Sequence, residues 1–72
     1  MKITDAVFFT DNKVVRLESG DDRFYLTDEG KIYNMHPVNV MAEEIKGDKL
    51  KQIKTAAKAG GYKNDLDVKK WL

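Results

Sequence analysis

Residues 48–61, DKLKQIKTAAKAGG, constrain the fold most, because they contain the clearest helical pattern in the chain. Apolar residues recur there every three or four positions, as on one face of an α-helix: Leu50, Ile53 and Ala57. Asp48 suits the N-cap, and Gly60 suits the C′ position, where φ is commonly positive. The pattern predicts an amphipathic helix that covers a core formed by the preceding residues.

The chain begins with a predicted β-hairpin. AVFF and VVRL are rich in β-branched and aromatic residues, and Asp11 and Asn12 between them favour a two-residue turn. This register pairs Phe9 with Val14 and directs four apolar residues to one face: Ala6, Phe8, Val15 and Leu17. The other face receives Val7, Phe9, Val14 and Arg16. Because three of these four are apolar, the second face is also expected to be covered.

A second predicted hairpin joins RFYLT to KIYNM through Asp28, Glu29 and Gly30, with Gly30 as a left-handed bulge residue. Its register directs Phe24, Leu26 and Ile32 to the core. Tyr25 and Tyr33 then stand side by side on the opposite face, with Arg23 and Met35 beside them.

Residues 35–46 are the least regular part of the sequence. Val38, Val40 and Ala42 alternate as in a fifth strand, whereas MAEEI after Pro37 also fits a helical turn; we favour a short edge strand. The C-terminal NDLDVKKWL predicts a short helix with Asn64 as its N-cap. Val68, Trp71 and Leu72 would dock this helix, with Trp71 as a structural anchor.

The sequence therefore predicts one α+β domain over residues 1–72, β-rich over 1–45 and helical over 48–72. The expected architecture is a small antiparallel β-meander of four or five strands packed with two C-terminal helices. With no Cys, a disulfide is excluded. The opening residues lack the long apolar run of a signal peptide or membrane span, so a cytoplasmic location without membrane contact is expected.

The charge is divided along the chain. Residues 1–45 contain five Lys or Arg and nine Asp or Glu, a balance of −4, whereas residues 46–72 contain eight Lys and three Asp, a balance of +5. The halves can attract each other within the domain, or the basic half can meet an anionic partner.

The side chains needed for catalysis are scarce. His36, the only imidazole, lies next to Pro37 and is interpreted as a turn or surface residue, and Ser19 is the only serine. Gly60 and Gly61 follow a helix instead of a strand, the wrong order for a phosphate loop. We expect no enzymatic activity, no metal, no cofactor and no small-molecule substrate. Small size without Cys or a catalytic set suits a phage or mobile-element accessory protein.

The first of two binding hypotheses is a protein-interaction module, a regulator or inhibitor that occupies a partner protein's surface or forms a homodimer. The candidate contact residues are Val7, Phe9, Arg23, Tyr25, Tyr33 and Met35. The hypothesis requires that the two helices leave this face of the sheet uncovered.

The alternative is binding to DNA or RNA. Lys51, Lys54 and Lys58 form a row along the predicted helix and would contact phosphates. A variant of this alternative places the nucleic acid on the sheet, where Tyr25 and Tyr33 would stack on bases.

Overall fold

The computed structural model describes residues 1–72, which form a five-stranded antiparallel sheet followed by two helices. The strands are β1 (Asp5–Phe9), β2 (Val14–Ser19), β3 (Asp22–Thr27), β4 (Ile32–Tyr33) and β5 (Glu44–Ile45), and the helices are α1 (Asp48–Ala59) and α2 (Asp65–Lys69). Each strand pairs with the next one in the chain, so the sheet is a meander. The predicted α+β fold class is confirmed.

Both predicted hairpin registers are confirmed. Phe9 pairs with Val14 in the first hairpin, and Tyr25 pairs with Tyr33 in the second. The first turn differs from the prediction, because residues 10–12 form a short 3₁₀ helix and the left-handed residue is Lys13, at φ 52°. The loop therefore has four residues between the paired ends of the strands, and neither Asp11 nor Asn12 takes the positive φ.

The core lies on one side of the sheet, beneath both helices. Twelve buried residues form a single cluster: Ile3, Ala6, Val15, Leu17, Phe24, Leu26, Ile32, Ile53, Ala56, Ala57, Tyr62 and Val68. The strand members are those that the predicted registers direct inward, and α1 contributes Ile53 and Ala57 from its apolar stripe. Ile3, which is only 1% exposed, precedes β1 and joins this core although no strand pattern includes it.

The start of α1 differs from the prediction. Its N-cap is Gly47, at φ 71°, and no side chain caps it; Asp48 lies in the first turn instead. A carboxylate there still interacts favourably with the positive end of the helix dipole. The predicted end is confirmed, since Gly60 follows the last helical residue with φ 75°.

The C-terminal segment is fastened to α1 and the sheet. Asn64 is the N-cap residue of α2, as predicted, but its side chain makes no capping hydrogen bond. The buried Tyr62 hydroxyl donates a hydrogen bond to the Ala57 carbonyl over 2.6 Å. Trp71 is half-buried and meets Phe8 edge to face, with ring centroids 5.7 Å apart. Trp71 is therefore a structural anchor, as expected.

The predicted fifth strand exists but lies further along the chain. Val38 and Val40 belong to a loop of turns and are exposed, whereas β5 is the pair Glu44–Ile45, opposite Tyr33 and Ile32. The alternation of residues 38–42 was thus wrongly interpreted as a strand. Because β5 has only two residues, it makes a very short edge to the sheet.

Candidate partner-binding surface

The side of the sheet opposite the helices, which we call the outer face, carries most of the predicted contact residues. Strand alternation directs five side chains toward its centre: Val7, Phe9, Arg16, Tyr25 and Tyr33. The buried residues of both helices pack with the inward-facing strand residues. Neither helix therefore covers the outer face, as the protein-binding hypothesis requires.

His36 covers part of the outer face. Its imidazole lies 5.6 Å from the Phe9 ring and 5.7 Å from the Tyr25 ring, measured between centroids. Val14, which is 2% exposed, is buried outside the main core and points to this same side. The outer face thus has a small aromatic layer of its own, in which a residue interpreted from sequence as a turn residue joins two strands.

Arg16 places its guanidinium group at the centre of this aromatic layer. It lies opposite Tyr25 in the sheet, and its Cζ is 5.5 Å from the Phe9 ring centroid. Its Nε donates to a Glu18 carboxylate oxygen over 2.8 Å. The predicted Arg23 is on the same face, two residues before Tyr25, but it is exposed and lies opposite Glu18 at the end of the strand. Arg16, and not Arg23, therefore lies at the aromatic rings, because the pairing of β2 with β3 places it opposite Tyr25.

The loop of residues 34–43 connects β4 to β5 and is closed at its base. Asn34 N–H donates to the Glu43 carbonyl over 3.0 Å, and Glu43 N–H donates to Asn34 Oδ1 over 2.8 Å. Within the loop, Asn39 N–H donates to the His36 carbonyl over 2.9 Å, and Met41 N–H donates to Asn39 Oδ1 over 2.9 Å. These hydrogen bonds and the packing of His36 fix the loop against the sheet.

This fixed loop carries three large apolar side chains into solvent. We call them the apolar tip: Val38, Val40 and Met41, which are 73%, 97% and 71% exposed. Single exposed apolar residues are ordinary on protein surfaces, whereas a large contiguous apolar patch is typical of interaction sites. The tip was not predicted, because Val38 and Val40 alternate as in a strand, although Pro37 just before them and Asn39 between them are turn signals.

The remaining predicted contact residues are only partly accessible. Val7, Phe9, Tyr25, Tyr33 and Met35 are all half-buried. The structure thus adds the exposed apolar tip to a sheet surface that was predicted from alternation alone.

The lysine row lies on a different surface. Lys51 and Lys58 are exposed, whereas Lys54 is half-buried. The Lys54 side chain reaches Gly30, where its Nζ would lie 3.7 Å from the Cβ of any larger residue. The two ion pairs of the chain, Arg16–Glu18 and Lys70–Asp67, involve none of the three. Beside the row, an open depression of about 430 Å³ is lined by Met1, Lys51, Gln52, Thr55, Ala56 and Ala59.

The titratable groups named in the sequence analysis are placed as follows. No three His, Asp or Glu side chains are grouped so that they could hold a metal ion. His36 Nδ1 accepts a 3.4 Å hydrogen bond from the Val38 N–H within its own loop, and no carboxylate orients the ring. The depression beside α1 offers Lys51 as its one titratable side chain.

No helix combines the length and apolarity needed to cross a bilayer.

The fold and its surface define a small α+β protein with an aromatic sheet face that neither helix covers and an apolar loop that covers part of this face. Comparisons of the chain with protein-family models, with curated proteins and with solved structures gave no match.

Proposed function

We propose that this chain is a small non-enzymatic protein-interaction module that acts by occupying the surface of a partner chain, either another protein or a second copy. Contact is made by the outer face together with the apolar tip. The observation that carries the proposal is the exposure of Val38, Val40 and Met41 on a loop held by its own hydrogen bonds.

The apolar tip can supply binding free energy at low entropic cost. Burying an exposed Val or Met side chain contributes about 1.5 to 3 kcal/mol by the usual area relation. Flexible loops lose much of this gain when a partner orders them, whereas a loop already fixed in its bound shape does not. The hydrogen bonds at Asn34 and Asn39 provide such preorganisation here.

The outer face supplies side chains that commonly dominate interfaces. Tyr and Arg are enriched among the residues whose truncation most weakens binding, because they combine a large contact area with hydrogen-bonding groups. Tyr25 and Tyr33 are half-buried and stand side by side, so they are already ordered before a partner arrives. Arg16, Arg23, Val7, Phe9 and Met35 surround them in this proposal.

The proposal is tested by placing a photo-crosslinking amino acid at Val40 in cells of the source organism. The matched control is the same amino acid at Leu66, which is 71% exposed on α2, away from the tip. We expect a crosslinked protein species from position 40 that position 66 does not give. Binding of the captured protein, measured with purified components, should be lost in Val40→Asp and retained in Leu66→Asp. Equal products from both positions, or none from position 40, would contradict the proposal.

A second candidate function, nucleic-acid binding through Lys51, Lys54 and Lys58, is favoured by the absence of carboxylate partners for these ammonium groups. Binding of mixed oligonucleotides should then weaken strongly between about 50 mM and about 200 mM salt. Reversal of all three charges to Glu should abolish it. Loss of binding on changing Tyr25 and Tyr33 to Ser, with the lysines intact, would instead place the nucleic acid on the sheet.

A further inference from the structure

We infer that the partner of the outer face is a second copy of this chain, and that the two copies form a two-fold symmetric dimer with their outer faces and apolar tips in contact. This inference rests on the proposed function, because it names the partner of the same surface.

The charges of the outer face suit contact with a copy of itself. Only one charged residue, Arg16, lies at its centre, and its Nε is already bonded to Glu18. Two such centres can therefore meet without burying an unpaired charge, which is the chief cost in self-association of a polar surface.

The rim of the face carries charges of both signs. The outward-facing charged residues of the strands other than Arg16 are Asp5, Glu18, Arg23 and Glu44. Asp5, Glu18 and Arg23 form one cross-strand row at an end of the sheet, and Glu44 belongs to the edge strand β5. Opposite signs on a rim allow favourable pairing with a copy, whereas the lysine row on α1 would repel its own copy.

The size of the surface agrees with what a stable dimer needs. The five strands contain 5, 6, 6, 2 and 2 residues, and each residue covers about 16 Å² of sheet, about 3.3 Å along the strand by about 4.8 Å between strands, giving roughly 330 Å². The three tip side chains add about 100 Å² each at the usual apolar transfer coefficient. The total of about 630 Å² lies at the lower end of the roughly 600 to 1,000 Å² that each partner buries in a specific complex.

Two-fold symmetry makes the association sensitive to single substitutions. Each tip residue occurs twice in a symmetric interface, so one substitution alters two contacts. Val40→Asp removes an apolar contact and adds a carboxylate on both sides. If each altered contact weakens binding tenfold, the dimer dissociation constant rises about a hundredfold.

The test is sedimentation equilibrium of the purified chain over a concentration range of about 1 to 500 μM. The expected result is a mass that rises from 8.3 kDa toward twice that value and no further. Val40→Asp should weaken dimerisation about a hundredfold, and the control Leu66→Asp should leave it unchanged. Tyr33→Ser should also weaken dimerisation. A dimer held by the apolar tip alone would not be affected by this change on the sheet.

Three results would overturn the inference: a monomer at every concentration, a dimer that resists Val40→Asp, or a mass that grows beyond two copies. Each variant's far-ultraviolet circular dichroism must match the parent chain, so that loss of fold is not counted as loss of contact. A monomer whose position 40 still crosslinks to a different protein would refute the dimer and leave the interaction module standing. A monomer with no crosslinked product would refute both.

Discussion

Replacing Tyr62 with Phe isolates one buried hydrogen bond that joins the C-terminal segment to α1. The last four carbonyls of an α-helix have no N–H partner within the helix, and Ala57 is among those of α1. The Tyr62 hydroxyl supplies the missing partner at 2.6 Å, in a site where the tyrosine is only 7% exposed. The Phe variant fills the same space but leaves the Ala57 carbonyl without this donor.

The expected loss is about 1 to 2 kcal/mol in the free energy of unfolding, because a buried polar group loses its partner. Domains of this length have total stabilities of roughly 4 to 10 kcal/mol, so the loss is a large fraction. With a urea dependence near 1 kcal/mol/M for a chain this small, the urea midpoint should fall by about 1 to 2 M.

Urea unfolding followed by the fluorescence of Trp71, the single tryptophan, measures this change. The matched control is Tyr33→Phe, since the Tyr33 hydroxyl makes no hydrogen bond within the chain and its loss should change stability by less than about 0.5 kcal/mol. Equal midpoints for Tyr62→Phe and the parent, or an equal loss in both variants, would refute the assignment of a stabilising role to the Tyr62 hydroxyl.

Three further predictions concern the same C-terminal region. Burial, and secondly the charge of Asp65, raise the pKa of Tyr62 above its ordinary value of 10.0. The neutral phenol's contribution is therefore complete below pH 10.0 and is lost as pH rises through the raised pKa, so the urea midpoints of the parent and Tyr62→Phe should converge above pH 10. Gly60→Ala should destabilise more than Gly61→Ala: both positions have positive φ, but at Gly60 the new Cβ would lie 2.7 Å from Asp65 Oδ2 and displace this oxygen from its 3.1 Å hydrogen bond with the Gly61 N–H. Thermal melts of the two variants test this difference, and equal melting temperatures would contradict it. Trp71→Ala should cost about 2 kcal/mol, less than for a fully buried tryptophan, and circular dichroism melts that match the parent would exclude the anchoring role.

The hairpin registers could be predicted because the signals that set them are local. Alternation decides which side chains share a face, and a one-residue slip would move them all to the other face. Phe9 opposite Val14 and Tyr25 opposite Tyr33 follow from this rule. The residue that takes the left-handed conformation in the first turn, Lys13, carries no such signal, since Asn and Asp usually fill that role.

The fifth strand was misplaced because alternation alone does not show where a strand pairs. Val38 and Val40 have strand-like spacing, yet the chain bends where Asn34 bonds to Glu43, nine residues away. The predicted contact surface lacked His36 and the apolar tip for a similar reason. The packing of His36 on Phe9 joins residues 27 positions apart, and only the tertiary fold brings them together. The face itself was predictable, whereas the loop that covers part of it was not.

The meander order has a consequence for how quickly the chain reaches its folded state. Each strand pairs with its sequence neighbour, and the connections from β1 to β4 contain only two to four residues. The entropy lost on closing such short loops is small, and folds with mainly local contacts reach their native state fastest among two-state proteins. The hairpins can therefore form early, leaving the docking of α1 and α2 as the step that closes the core. We expect folding within milliseconds, with substitutions at the helix–sheet contacts altering mainly the unfolding rate.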